Sequence, residues 1–284
     1  MRLKGRSSQD IKESKIYMDR LFLIQFIVSF FIGGAFVAFL IFLSERVNEK
    51  IAGIIIALPS TSALGLLFIS INRSAAVLSE VVPVALIALS ITLFYVYVYV
   101  QIATLTLKSR FSIFLSILGA FSYWFICVAV FMQFKFHNFF LAFLIFMFSA
   151  IGAYYLLNRK EYQQVVAVNY SWKENILRSL GAGLAISLVV LIAKIGGMYW
   201  GAAASMFPAV FTFTLILIHK KYGVPMILKI FRKMPIGVFI VMLFMVAFRY
   251  IAEWLGVGFG FLLAYTLTIV ASYICWKVLT KYNL

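Results

Sequence analysis

Acidic side chains are scarce in this chain: nine Asp and Glu stand against 25 Lys and Arg among 284 residues. Most of the nine fall in polar breaks between apolar runs, so no carboxylate pair or Ser-His-Asp set can be assembled for acid–base or nucleophilic chemistry. Histidine is rarer still. His137 and His219 each lie at the end of an apolar segment, with no Cys or His neighbour at ligand spacing, which argues against a metal site. The two cysteines, Cys127 and Cys275, sit in or beside apolar stretches and read as small buried hydrophobes, not as a disulfide pair. Gly256, Gly258 and Gly260 follow no strand and open no βαβ unit, so they are not a dinucleotide fingerprint. Neither an enzyme activity nor a cofactor is expected. The positive excess has no soluble domain to present it, which argues against nucleic acid as a partner and points to anionic lipid headgroups.

What is abundant is apolar length. Hydrophobic residues make up 64% of the chain, gathered into runs of about twenty, the length at which a helix crosses the hydrocarbon core. Nine runs predict nine spans, at 21–43, 51–71, 81–107, 111–132, 138–157, 176–193, 197–218, 235–248 with its continuation, and 255–276. The fold class that follows is an all-α polytopic transmembrane helix bundle, multi-pass in the plasma (cytoplasmic) membrane. Residues 1–20 carry Arg2, Lys4 and Arg6 but also Asp10, Glu13 and Asp19. That stretch is too long and too acidic for the start of a signal peptide and reads as a cytoplasmic N-terminal segment. The polar break 158–175 separates a first membrane unit, 21–157, from a second, 176–284.

The second span of each unit carries the clearest pattern. Residues 50–64 read KIAGIIIALPSTSAL, and residues 199–212 read YWGAAASMFPAVFT. In both, small residues lead to a proline, Pro59 or Pro208, and an apolar stretch follows. A proline inside a span removes a helix hydrogen bond and clashes with the turn before it. Paired interruptions in two halves are a pointer to a carrier's central site. The first stretch, its preceding span and the two spans after it resemble the small GlpM-type, DUF3147-like four-span membrane proteins, whose second span holds a similar Ile-Ala-Gly…Pro…Ala pattern. The resemblance covers 21–132 and, more weakly, 176–276. It implies two repeated four-span units joined by a linking span at 138–157, and it implies architecture more than activity.

Candidate substrate-binding residues gather at these breaks. Ser60, Thr61 and Ser62 follow Pro59 and could bond freed carbonyls or a substrate. The second unit has Ala209 and Val210 at the equivalent places, with Pro208 itself, Trp200 before it and Thr212 further on as candidates, so a site built here is asymmetric. Arg249 and Glu253, at i,i+4 spacing in a membrane segment, could pair on one helix face. Lys194 and Glu45 fall in equivalent links and read as interface anchors. Tyr95, Tyr97 and Tyr99, with Tyr123-Trp124, are expected in the interfacial aromatic belt.

Orientation pulls two ways. Four spans, a linker and four more would invert the halves, whereas the basic stretches at 1–20, 158–175 and 219–234 ask to share one side. Two functions are open at this point. One is a secondary transporter or lipid-headgroup flippase for an anionic solute or phosphorylated lipid. The other is a non-transporting scaffold or regulatory subunit with a membrane-protein partner handling envelope lipid or polysaccharide. A cavity between the halves favours the first, and a packed centre with an exposed groove of small residues favours the second.

Overall fold

A computed structural model describes residues 8–47, 55, 58–71, 73–134, 138–158 and 171–281, with side chains from Arg20 to Val278. The chain before Ser8, residues 50–54, 56 and 57 of the first proline motif, His137 and most of the 158–175 break lie outside them. Among the described residues every regular element is helical: α1 (Ser8–Glu45), α2 (Thr61–Ser70), α3 (Val77–Leu105), α4 (Ser112–Met132), α5 (Phe139–Leu157), α6 (Trp172–Ile195), α7 (Met198–Ser205), α8 (Ala209–Tyr222), α9 (Val224–Phe231) and α10 (Met234–Lys281). Seven stretches among the described residues are long and apolar enough to span a bilayer. The protein is a multi-pass helical membrane bundle.

The last of those stretches is a hairpin. At Gly256 the backbone turns to φ 76° and ψ 168°, a region open in practice to glycine alone. Beyond it, Gly260 lies against Ala252, Phe261 against Phe248 and Tyr265 against Phe244. The arms 234–255 and 257–281 therefore run antiparallel, as the separate expected spans at 235–248 and 255–276 require. Gly197 and Gly223 adopt the same positive-φ geometry, at 87° and 80°. Gly223 is the single residue between α8 and α9, and Gly197 follows Gly196 in the two-residue link between α6 and α7.

Contacts along the helices set their directions. Gly183 of α6 faces α1 so closely that a Cβ there would lie 2.5 Å from the Phe30 carbonyl oxygen, the small-residue approach that lets membrane helices touch backbone to backbone. At one end of this pair the Lys194 ammonium sits 3.9 Å over the Phe22 ring. At the other, Asn175 donates to the Glu45 carboxylate. So α1 and α6 are antiparallel throughout. Gly65 of α2 meets Ser205 of α7, and Gly201 of α7 meets Ile69 of α2, another antiparallel pair. The side chain of Asn158 donates to the Arg232 carbonyl, while Phe139 packs on Tyr250, so α5 opposes the first arm of α10. These pairs define two rims. Phe22, Ser70, Glu80, Met132, Lys194, Tyr199 and Arg249 mark the first, and Glu45, Thr106, Asn158, Trp172 and His219 the second.

Helix α3 runs through the middle. In its apolar window 83% of the residues are buried, as expected of a helix that is hydrophobic on every side. Helices α4, α5, α7, α9 and α10 pack around it, and α8 meets it through the side chains of Thr212 and His219.

Candidate functional site

Pro208 breaks the sixth of the spanning stretches, Met198–Tyr222. Its missing N–H and its ring bar continuation from α7, and Met206 and Phe207 close α7 through bonds to the Ala203 and Ala204 carbonyls. The Met206 carbonyl is left over, deep in the bundle. Thr92 of α3 meets it: the hydroxyl donates to that oxygen at 2.8 Å and accepts from Trp124 Nε1 of α4 at 3.0 Å. Further along, Thr212 donates to the Pro208 carbonyl at 2.9 Å, and Tyr95 in turn donates to Thr212 at 2.9 Å. Tyr99 and His219 Nδ1 are joined at 2.9 Å near the second rim. The polar groups freed by the break are thus held by a stripe on α3, since buried backbone in a membrane needs protein partners.

On the first-rim side of this stripe lies a cavity of about 410 Å³, within the usual range of ligand pockets. Val84, Ile87, Ala88 and Ile91 form its floor on α3; Val128, Phe131 and Met132 line it from α4, and Tyr199, Trp200 and Ala203 from α7. Near the Pro208 break it gives way to aromatic packing, with the Phe207 ring 5.1 Å from those of Phe121 and Trp124. Tyr199 donates to the Glu80 carboxylate at 2.8 Å, tying α7 to the start of α3. A second, shallower groove of about 460 Å³ runs along α1 and α6 past Gly34, Ala35, Ala38 and Ser179.

The expected site residues do not all meet. Pro208, Thr212 and Trp200 belong to the break and cavity just described. Pro59 is buried before α2, and Ser60 starts that helix without a side-chain cap bond, with Thr61 half-buried and Ser62 buried after it. The chain preceding Pro59 lies largely outside the described residues. Arg249 and Glu253 do not pair. Glu253 is exposed, while the Arg249 guanidinium stacks 4.4 Å over the Phe139 ring and 5.3 Å from that of Tyr250. This places Arg249 at the first rim, beside the opening turn of α5. The i,i+4 spacing allowed a pair, but the aromatic faces of a neighbouring helix took the cation instead.

The aromatic-belt expectation is corrected for Tyr95, Tyr99 and Trp124. They are 0%, 0% and 2% exposed, because Thr92, Tyr95 and Tyr99 at i, i+3 and i+7 share one helix face and that face meets α8. This spacing was the available signal for the stripe, and the strand-like alternation of three tyrosines hid it. Both cysteines are free and partly buried.

No family model, curated protein or solved structure matches this chain.

Proposed function

We propose that the protein is a lipid-headgroup flippase of the plasma membrane, carrying a phosphorylated lipid through the cavity between α3, α4 and α7. The observation that carries this reading is a cavity shared by both halves of the chain that leads towards a broken helix. Its walls are apolar, which suits an acyl chain better than a small hydrated anion. Near the break sits a group of hydrogen-bonding side chains able to exchange partners as α7 and α8 shift about Pro208. The halves are read as two copies of one four-span unit in opposite orientation, in line with the GlpM-type likeness. Antiparallel packing of the first helix of each unit, α1 on α6, supports that duplication.

The test is lipid flipping in proteoliposomes, using acyl-labelled fluorescent phosphatidylethanolamine and phosphatidylglycerol and external dithionite. Flipping well above that of protein-free vesicles is expected, with a loss of at least tenfold in Ala203→Trp, which plugs the cavity. A rate equal to that of protein-free vesicles would sink the proposal.

The groove of small residues along α1 and α6 favours a second reading, a scaffold that seats a partner's transmembrane helix there. That reading predicts unchanged vesicle permeability and co-purification of a membrane protein that is lost in Ala38→Phe.

A further inference from the structure

The floor of the cavity continues to a charge. On α3 the lining residues Val84, Ala88 and Ile91 fall at helical spacing, and Glu80 lies one turn before Val84 on the same face. Its carboxylate therefore stands at the first-rim mouth, at headgroup depth, in line with the apolar stripe. The residue is exposed. Among the described residues its polar partner is the Tyr199 hydroxyl, and no Lys or Arg pairs with it. A carboxylate holding one neutral donor keeps acceptor capacity for more. Beside the Tyr199 hydroxyl the remaining wall is mostly apolar and aromatic, with no carboxylate, Lys or Arg among its lining residues.

We propose that Glu80 selects the lipid by its headgroup, and that the preferred lipid carries a protonated primary amine. The amine donates a charge-assisted hydrogen bond to Glu80, Tyr199 holds the carboxylate in place, and one acyl chain lies in the cavity over Val84, Ala88 and Ile91. A headgroup with no amine gains nothing from Glu80. A quaternary ammonium keeps the charge but has no N–H to donate, and ranks between the two. This assignment rests on the lipid-carrying reading above but is measured without transport.

The experiment is native mass spectrometry of the full chain released from nanodiscs with equal phosphatidylethanolamine, phosphatidylglycerol and phosphatidylcholine of identical chains. Wild type should retain phosphatidylethanolamine at least fivefold over phosphatidylglycerol. Glu80→Gln, whose amide oxygen can still accept from Tyr199, should fold normally and lose that preference. Ala203→Trp should lose all three lipids. Equal retention by wild type, or a preference undiminished in Glu80→Gln, overturns the proposal. Should Glu80→Gln not fold, Glu80→Asp serves instead: its shorter carboxylate should weaken the preference, and an unchanged ratio overturns it. Selective retention without flipping removes the flippase reading alone. Flipping without headgroup preference removes the assignment to Glu80 alone.

Discussion

Thr92 is the residue on which the site turns. One hydroxyl serves two helices other than its own, donating to the Met206 carbonyl and accepting from the Trp124 indole. Thr92→Val keeps the shape and strands both partners in apolar surroundings, a loss of about 1–3 kcal/mol. Tyr95→Phe is milder, because Thr212 keeps its bond to the Pro208 carbonyl; about 0.6 kcal/mol is typical of a single interhelical bond in a membrane. Thermal unfolding in detergent should rank Thr92→Val below Tyr95→Phe and both below wild type, and the reverse order would show that Thr92 does not hold the break. Pro208 was legible in the sequence, since any proline in a span must free a carbonyl. Thr92 was not, because its partner Met206 is 114 residues away and threonines inside spans commonly bond their own helix, as Thr104 does with Val100 and as Thr92 itself also does with Ala88 at 3.0 Å. The expected Arg249–Glu253 pair shows the opposite failure. Spacing along one helix was visible, and the ring of Phe139 on another was not.

At the scale of the element, glycine decides where this chain folds back. The hydropathy runs located most of the spans to within a turn, since length and apolarity are written locally. They separated 235–248 from 255–276 but could not show that the corner between the two arms is one residue, because that depends on Gly256 reaching a positive φ. Two glycines just beyond the corner separate packing from propensity. A Cβ on Gly260 would lie 2.5 Å from the Ala252 Cα, while one on Gly258 would meet nothing within 4 Å. Backbone on both sides leaves no side chain to swing away, so Gly260→Ala must push the arms apart. Overpacking of this kind costs about 1–3 kcal/mol. Gly258→Ala relieves a helical glycine and should stabilise by roughly 0.5–1 kcal/mol. Melting temperatures moving in opposite directions are the expected result; equal shifts would mean that the arms do not meet at Gly260.

For the whole molecule, the unsettled direction of the two halves becomes a question about two rims. Antiparallel α1 and α6 mean that equivalent basic stretches need not share a side, which is how the conflict seen in the sequence arises. Among the residues whose side chains are described the second rim carries Arg46, Lys108, Arg110, Lys173, Lys220, Lys221, Lys229, Arg232, Lys233 and Lys277, and the first carries Arg20, Arg73, Lys194 and Arg249. Positive loops stay in the cytoplasm, so this distribution predicts that the second rim faces inward and the mouth beside Glu80 outward. The basic N-terminal segment pulls the other way and, read alone, places the start of the chain inside. Ten Lys and Arg in the loops and helix ends of the second rim, set against one terminal segment, favour the second rim. With Cys127 and Cys275 replaced by alanine, single cysteines at Ser74 and Ser109 report the outcome. A membrane-impermeant maleimide applied to intact cells should label Ser74→Cys and spare Ser109→Cys until the membrane is permeabilised. The opposite pattern would show that the N-terminal segment sets the topology, and would place the cavity mouth, with any lipid it takes, on the cytoplasmic leaflet.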